Sequence, residues 1–197
     1  MANISLNDVL TDGGQMLGFS KKRRVKFFYD SSAGVYNKRY QEIQMIKYTI
    51  LLRKTHEIRS LVVDVGCGTG LFCELLTMRG FRVVGIDFSI EMLRRAKKAV
   101  TLQKVFLVCC DSDFLPLRGN IFCGAFSVTL LQNLPNPMLS LNEIVRVCKK
   151  GSMVHLSVLS KSLNVKDLEI LLSQAGLRDI EVFGPLGSED IYGHGKT

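Results

Sequence analysis

Short apolar runs alternate with longer mixed stretches along most of the chain. We predict strands at the apolar runs 61–66, 82–87, 104–110, 121–128, 152–159 and 177–183. Their valine, isoleucine and leucine content is typical of strands that a parallel sheet buries on both faces. We predict helices between them at 70–79, 90–100, 137–149 and 165–175. This alternation predicts an α/β fold with a doubly wound, mostly parallel sheet and helices on both faces.

The N-terminal part of the chain has a different pattern. Over 36–56, apolar side chains return at spacings of three and four residues, which predicts an amphipathic cap helix that packs against the sheet. Residues 1–20 carry the adjacent glycines Gly13 and Gly14 and few long apolar runs, and we expect them to be loosely held. A length of 197 residues lies within the usual range of one domain. We therefore expect a single domain over 1–197, with an N-terminal segment and cap helix at 1–58 and an α/β core at 59–197.

A glycine-rich turn follows the first predicted strand directly, in the stretch VVDVGCGTGLF at 62–72. Glycine adopts backbone conformations closed to other residues and, without a Cβ, lets a ligand approach the main chain. Gly66, Gly68 and Gly70 therefore predict a ligand-binding turn between a strand and a helix. The second strand ends in Asp87, where a carboxylate can accept hydrogen bonds from ribose hydroxyls. A tight turn without a ligand, with Asp87 as a solvated acid, is the alternative.

The glycine spacing and a second acid indicate the kind of ligand. Dinucleotide-binding turns have the spacing G-x-G-x-x-G, whereas this turn has G-x-G-x-G. Asp64 lies two residues before Gly66, where it would repel a pyrophosphate but could hold the turn or an amino group. A cationic cofactor therefore fits the turn better than a dinucleotide does.

With an acid followed by G-x-G-x-G, the stretch DVGCGTG resembles the first motif of the class I S-adenosylmethionine-dependent methyltransferases. GIDFSIEMLRRAKKA at 85–99 resembles the second motif of this family, and VFLVCCDSDFLPL at 105–117 resembles the third. The stretch 120–152, which contains LNEIVRVCKKG, is similar to the ubiquinone/menaquinone-biosynthesis type of small methyltransferase. The resemblance covers about half of the chain, over 61–160.

This resemblance implies the class I methyltransferase fold, S-adenosylmethionine as the cofactor and methyl transfer as the activity. It also implies that Asp111 binds the adenine amino group beside Ser112, and that the segment YDSSAGVY, with Tyr29 and Tyr36, closes over the cofactor. Core packing is the alternative for Tyr36. The candidate cofactor-binding residues are Tyr36, Asp64, Gly66, Cys67, Gly68, Gly70, Asp87, Phe88, Asp111, Ser112 and Ser127.

The family also has a final antiparallel strand. Its candidate here, EDIYGHGKT at 189–197, holds two glycines and few apolar residues, so the sequence leaves that strand in doubt. No internal repeat is visible in the chain.

The acceptor side is expected in the loop 127–136, because ligands of open α/β sheets bind at the carboxyl ends of strands. Relatives often carry a histidine where this chain has Gln132 and Asn133, so that base is absent, and no catalytic residue is assigned. Methyl transfer needs mainly in-line positioning and a dry pocket, so a missing base does not exclude an enzyme. Cys123 stands where the family usually has aspartate, which keeps a cofactor-binding protein without catalysis as an alternative. A third alternative for the function of the protein is a nicotinamide-dependent oxidoreductase.

Composition bears on location and on metal sites. There is no run of eighteen apolar residues and no signal-peptide pattern at the N-terminus, so we expect a cytoplasmic protein with no membrane association. The six cysteines show no C-x-x-C spacing, and we expect reduced thiols without a metal site or disulfide. The oligomeric state is left open.

Most of the net charge of +8 lies in residues 1–60, which hold eleven basic and five acidic residues. The stretch KKRRVKFFYD at 21–30 places five basic side chains before two aromatic rings. Basic groups beside stacking rings suit RNA with exposed bases. We therefore expect tRNA, or another anionic substrate, as the methyl acceptor. A small molecule such as a quinone precursor is the alternative, with the basic stretch then a solubilising face.

Overall fold

The computed structural model describes residues 18–53, 55, 61–100, 104–184 and 189–197. Within these residues the helices are α1 Gly18–Ser32, α2 Tyr36–Leu52, α3 Leu71–Met78, α4 Ile90–Ala99, α5 Pro137–Val147 and α6 Val165–Gln174. The strands are β1 Leu61–Val65, β2 Arg82–Asp87, β3 Val105–Cys109, β4 Phe122–Val128, β5 Cys148–Leu159, β6 Arg178–Phe183 and β7 Asp190–Lys196. A short 3-10 helix, Leu131–Asn133, lies between β4 and α5. In the part of the chain described, no helix is long and apolar enough to cross a membrane.

The strands form one seven-stranded sheet in the order β3-β2-β1-β4-β5-β7-β6. Neighbouring strands from β3 to β5 are parallel, whereas β7 runs antiparallel to both β5 and β6. The strand order reverses between β1 and β4, which opens a crevice at the carboxyl ends of these strands. The predicted α/β fold with a doubly wound, mostly parallel sheet is confirmed.

Buried apolar side chains form two cores, one on each face of the sheet. Val62 belongs to one core and Val63 and Val65 to the other, because side chains alternate between faces along a strand. On the first face, the Tyr48 ring of α2 stacks on the Phe72 ring of α3 with centroids 4.6 Å apart. Helices α5 and α6 cover the second face. With both faces covered, the strand ends are left as the place for a ligand.

The final strand, which the sequence left in doubt, is formed as β7. Its glycines are points of close packing. A Cβ on Gly193 would lie 2.8 Å from Leu172 and 3.1 Å from Leu168, both on α6. A Cβ on Gly195 would lie 3.1 Å from the carbonyl oxygen of Arg178 on β6. The glycines therefore let α6 and β6 approach β7 closely, so their presence was no reason to doubt the strand.

The described residues of the N-terminal cap form two helices, where the spacing predicted one. The predicted helix over 36–56 is observed as α2, which ends at Leu52. Residues 54 and 56–60 lie outside the described residues. α1 carries the basic stretch and packs against α4. The expectation of a loosely held segment at 1–20 falls mainly outside the described residues, which begin at 18.

Candidate functional site

A cleft at the carboxyl ends of the parallel strands encloses about 810 Å³, including space open to solvent. Its walls come from α1, from the turn after β1, from the ends of β2 and β4, and from the segments that follow β3 and β4. It thus lies at the crevice where the strand order reverses, which is the usual ligand position in this type of sheet.

The glycines of the turn after β1 all have positive φ, at 85° for Gly66, 55° for Gly68 and 79° for Gly70. The Gly66 N–H donates to the carbonyl oxygen of Ile86 at 2.8 Å, which ties the turn to the end of β2. A Cβ on Gly68 would meet no atom within 4 Å, so open space lies beside the main chain there. A Cβ on Gly70 would lie 3.0 Å from the Cβ of Ala96, so this glycine permits α4 to pack on the turn. Gly66 and Gly68 line the cleft.

Asp87 ends β2 and lines the cleft. Its Oδ2 accepts the Gly68 N–H at 2.8 Å, and its Oδ1 accepts the Ser89 N–H at 2.8 Å. Burial raises the pKa of Asp87 to about 6, although these hydrogen bonds act in the opposite direction. A carboxylate has about four lone-pair sites. Asp87 can therefore accept further hydrogen bonds from the hydroxyl groups of a ligand.

Asp64 is a buried carboxylate inside β1, only 1% exposed. The thiol of Cys73 donates to Oδ2 of Asp64 at 3.4 Å. Among the described residues, Asp64 takes part in none of the ion pairs found. Burial raises the pKa of Asp64 to about 7. A second cavity, about 310 Å³ including open space, is lined by Asp64 together with Tyr36 and Cys67. A cationic ligand group in this cavity would stabilise the ionised carboxylate.

Lys22 of α1 contacts two carboxylates that follow β3. Its Nζ lies 2.6 Å from Oδ1 and 2.7 Å from Oδ2 of Asp111, and it also pairs with Asp113. Although burial acts to lower it, the pKa of Lys22 is raised by the two carboxylates. The Ser140 hydroxyl donates to Asp113 and lies 2.7 Å from the Ser112 hydroxyl. The carboxylate expected to bind adenine is therefore paired with a lysine of the cap.

A second set of contacts fastens α1 beside β2. Within α1, Lys26 pairs with Asp30 at 2.5 Å, and the Nζ of Lys26 lies 6.0 Å from the ring centre of Phe88, which follows β2. The Ser89 hydroxyl donates to Oδ1 of Asp30 at 2.5 Å. Phe88 is 37% exposed and lines the cleft. α1 is thus attached to the segments after both β2 and β3, across the width of the cleft.

Tyr29 and Tyr36 both line the cleft, with ring centres 6.2 Å apart. The Tyr36 hydroxyl accepts a hydrogen bond from Nε2 of Gln44 at 3.2 Å, and the Tyr29 hydroxyl accepts one from Nδ2 of Asn133 at 3.1 Å. Burial raises the pKa of Tyr36 to about 12 and also raises the pKa of Tyr29. Both phenols therefore stay protonated at neutral pH and act as hydrogen-bonding groups.

Most of the predicted cofactor residues line the cleft: Tyr36, Gly66, Gly68, Asp87, Phe88, Asp111 and Ser112. Asp64 and Cys67 line the neighbouring cavity. Gly70 and Ser127 line neither cavity. Ser127 is fully buried, and its hydroxyl donates to the carbonyl oxygen of Val65 at 3.1 Å. The cofactor-binding role of each residue stays a prediction.

Sequence reasoning missed several residues of the cleft. Ser89 lines it and caps α4, with its hydroxyl accepting the Met92 N–H, so the N-cap rule could have placed it at this strand end. Cys110 also lines it, directly after β3. The contact of Lys22 with Asp111 has no signal in the sequence, because it depends on how α1 lies over the sheet.

Residues 63–156 match the family described as Methyltransferase domain. A malonyl-[acyl-carrier protein] O-methyltransferase of Hamiltonella defensa subsp. Acyrthosiphon pisum is 35% identical over 111 residues, 56% of this chain and 42% of the relative. An 18S rRNA (guanine-N(7))-methyltransferase of Schizosaccharomyces pombe is 33% identical over 113 residues, 56% of this chain and 42% of the relative. A ubiquinone biosynthesis O-methyltransferase of Dechloromonas aromatica is 34% identical over 104 residues, 51% of this chain and 45% of the relative. The chain spans about half the length of these curated relatives.

The fold is shared with solved methyltransferase structures. A phosphoethanolamine N-methyltransferase 2 of Haemonchus contortus, solved in complex with S-adenosyl-L-methionine, superposes with a TM-score of 0.72 at 18% identity. The match covers 86% of this chain and 46% of that protein. Together with the domain match and the relatives, it confirms the class I fold and the resemblance to S-adenosylmethionine-dependent methyltransferases, with residues 63–156 as the part of the chain that matches the family.

Proposed function

We propose that this protein transfers the methyl group of S-adenosylmethionine to a small-molecule acceptor bound beneath α1. The observation that carries the proposal is the buried carboxylate of Asp64, which lies next to the glycine turn and lines a cavity. A carboxylate in such a place favours a ligand that brings a positive charge.

The residues of the two cavities fit this cofactor, which combines adenine, a ribose and a cationic methionine part. Open space beside Gly68 leaves room for a ligand against the main chain. Asp87 keeps lone pairs for ribose hydroxyls, and Asp64 provides a negative charge for the cationic part. A pyrophosphate would bring negative charge close to Asp64, which argues against a nicotinamide oxidoreductase.

In the proposed complex, Asp87 holds the ribose and Asp64 faces the cationic part. Asp111 accepts a hydrogen bond from the adenine amino group once Lys22 has moved from it. When bound, S-adenosylmethionine would supply an electrophilic methyl carbon: the methyl–sulfur bond breaks as a bond to the acceptor atom forms, S-adenosylhomocysteine is released, and the acceptor atom loses its proton to water. α1 lies over the cleft and limits the access of water. The protonated phenols of Tyr29 and Tyr36 position ligands by hydrogen bonds.

The basic stretch of α1 supports an RNA acceptor less than its sequence indicates. Lys21 donates to the carbonyl oxygens of Gln132 at 3.3 Å and Leu134 at 2.9 Å. Lys22 and Lys26 pair with aspartates of the protein. A lysine already bound to protein groups must break those contacts before it can neutralise a phosphate. This use of the lysines favours a small acceptor inside the cleft.

RNA, tRNA included, is the second candidate acceptor. The excess of positive charge in residues 1–60, the exposed side chain of Arg23 on α1 and the similarity to an rRNA methyltransferase favour it. The similarity to a ubiquinone biosynthesis O-methyltransferase favours the small molecule.

The test is transfer of labelled methyl from S-adenosylmethionine by the purified protein, offered total RNA or the small-metabolite fraction of the same cells. We expect label in the small-metabolite fraction, inhibition by S-adenosylhomocysteine, and loss of transfer in Asp87→Ala. Asp179→Ala, which removes an exposed carboxylate outside the cleft, is the matched control. Label in RNA would select the second candidate. Binding of S-adenosylhomocysteine without transfer to either fraction would contradict the enzymatic proposal and leave a cofactor-binding protein.

A further inference from the structure

Three polar residues line the cleft where α1 lies against the segment after β4: Tyr29, Thr129 and Asn133. Asn133 is 2% exposed and belongs to the short 3-10 helix. Its Nδ2 donates to the Tyr29 hydroxyl at 3.1 Å and to the carbonyl oxygen of Thr129 at 3.1 Å. All three side chains line the cleft, together with the apolar side chains of Val25, Leu130 and Leu134. We call these six residues the acceptor pocket.

Two buried oxygens of the acceptor pocket have no hydrogen-bond partner among the described residues: Oδ1 of Asn133 and Oγ1 of Thr129. The orientation of the Asn133 amide is fixed by the Thr129 carbonyl, which can only accept a hydrogen bond and so must face the NH₂ group. A buried oxygen without a partner is unfavourable. Both oxygens are therefore suited to receive hydrogen bonds from a bound molecule.

The backbone at Thr129 is held in an unfavourable conformation. Its φ of 55° lies in the left-handed region, which a β-branched residue rarely adopts. The Thr129 N–H donates to Ser157 at 2.9 Å, and the side-chain amides of Gln132 and Asn133 both donate to the Thr129 carbonyl. Strain that surrounding contacts maintain in this way is characteristic of binding sites.

The charges around the acceptor pocket disfavour an anion. Asp87 lines the same cleft, and its charge adds to burial and to the neighbouring Tyr36 phenol in raising the pKa of Tyr29. Lys22 is paired with Asp111 and Asp113, and the ammonium of Lys21 donates to the carbonyl oxygens of Gln132 and Leu134 and does not line the cleft. A carboxylate or phosphate would therefore face the bare oxygen of Asn133 and the charge of Asp87.

We propose that the acceptor pocket binds the methyl acceptor and selects an uncharged molecule that presents a hydroxyl or N–H group on an apolar body. The donor group of that molecule satisfies Asn133 Oδ1, the Tyr29 hydroxyl and the Thr129 hydroxyl add further hydrogen bonds, and Val25, Leu130 and Leu134 contact the apolar body. This inference rests on the proposed function, since it places the acceptor next to the cofactor site.

The first experiment compares three probes, phenol, benzoate and toluene, on protein saturated with S-adenosylhomocysteine. Binding is followed by the chemical-shift changes of the protein amides. We expect phenol to bind at least roughly tenfold more tightly than either benzoate or toluene, the ratio for one buried hydrogen bond. Benzoate bound as tightly as phenol would overturn the selection of an uncharged donor. Phenol bound no more tightly than toluene would overturn the role of the polar groups.

Variants separate binding from folding. Asn133→Leu removes the unpartnered oxygen at nearly constant volume, and Gln132→Leu is the matched control. Gln132 also donates to the Thr129 carbonyl, at 2.8 Å, but does not line the cleft. We expect Asn133→Leu to weaken phenol binding roughly tenfold and Gln132→Leu to leave it within about twofold. Equal losses in the two variants would show that the loop conformation alone is responsible.

Thr129→Gly distinguishes a role of Thr129 in ligand binding from a role in folding alone, because the two roles predict different combinations of melting temperature and phenol affinity. Glycine accommodates the positive φ without strain, so we expect an unchanged or higher melting temperature together with weaker phenol binding. Unchanged phenol affinity would remove Thr129 from the pocket. Calorimetry with S-adenosylhomocysteine on each variant reports on the cofactor site alone. If the wild-type protein binds S-adenosylhomocysteine but prefers benzoate to phenol, only the acceptor inference is overturned. If the wild-type protein does not bind S-adenosylhomocysteine, the proposed function itself is overturned.

Discussion

Asp87 is held by two main-chain N–H groups and lines the cleft, so its charge and position are expected to control affinity for a ribose. We predict that Asp87→Asn weakens binding of S-adenosylhomocysteine by about 1.5–3 kcal/mol, the range for hydrogen bonds to a charged group. Isothermal titration calorimetry checks this, with Asp179→Asn as the control. Because the pKa of Asp87 is about 6, wild-type affinity should fall as the pH drops below that value. Asp87→Asn should lose this pH dependence.

Asp64 is predicted to make the cofactor-free protein less stable as pH rises. Burial raises the pKa of Asp64 in the folded state to about 7, above the usual aspartate value of 3.8, so between these pH values the folded state binds more protons than the unfolded state. The free energy of unfolding then decreases with rising pH, by on the order of 2–4 kcal/mol in total. Denaturant unfolding between pH 4 and about 8 should show a smaller decrease in Asp64→Asn. Glu169→Gln, at an exposed position, is the control, and equal pH slopes in all three proteins would contradict the prediction.

Sequence reasoning located the residues of the site that follow a strand along the chain. Gly66, Gly68 and Asp87 lie where the spacing put them, because a strand end fixes the position of the next few residues. Thr129 and Asn133 lay within the predicted acceptor loop, but no pattern showed that their oxygens would be buried without partners. That property depends on α1 lying over the loop, a tertiary contact with no local sequence signal.

At the scale of elements, α1 closes the cleft through Lys22, whose side chain is 13% exposed. In the proposed complex, the ammonium held between Asp111 and Asp113 has to move before an adenine amino group can reach Asp111. We predict that Lys22→Met raises the association rate constant of S-adenosylhomocysteine by roughly tenfold, since about 1.4 kcal/mol of pairing is removed from the barrier. Stopped-flow measurements check this. Arg23→Met removes an equal charge from an exposed position of the same helix and should leave the rate unchanged; slower association in Lys22→Met would refute a closing role.

The contact between α6 and β7 depends on a glycine that the sequence marked as a weakness. We predict that Gly193→Ala destabilises the protein by about 1–3 kcal/mol, because its Cβ would lie 2.8 Å from Leu172. Chemical denaturation measures the loss. Gly34→Ala is the control, since its Cβ would meet only the end of the Arg95 side chain, at 3.3 Å. A loss at Gly193 no larger than the loss at Gly34 would contradict the packing explanation, because the lower unfolded-state entropy of alanine by itself stabilises the folded protein.

Whole elements were easier to predict than their ends and their partners. The strands and most helices agree with the apolar pattern, because burial on both faces of a sheet requires continuous apolar runs. The pattern could not show that the cap has two helices, since α1 carries mainly charged and aromatic residues. β7 was doubted because glycine is unfavourable in a strand, and here close packing by α6 overrides that preference.

For the whole molecule, the reaction rates of the cysteine thiols report how readily different parts of the structure unfold. Cys109 is exposed, whereas Cys67, Cys73 and Cys148 are buried in the two cores. We predict six titratable thiols in denaturant. In the native state we predict rapid reaction of Cys109 and reaction of the buried thiols only as fast as the structure opens. A disulfide-reactive dye checks this, and fewer than six thiols in denaturant would contradict the expectation of reduced cysteines.

The ion pair between Lys47 of α2 and Asp190 of β7 joins the early and late parts of the chain. Nζ of Lys47 lies 2.9 Å from Oδ1 of Asp190, and the two side chains are 5% and 0% exposed, respectively. The Ser157 hydroxyl donates to the other oxygen of the same carboxylate at 2.7 Å. Burying Lys47 without its carboxylate would be strongly unfavourable. On the ribosome, Lys47 is made long before Asp190. We therefore expect α2 to pack stably on the sheet only after Asp190 has been translated and β7 has formed.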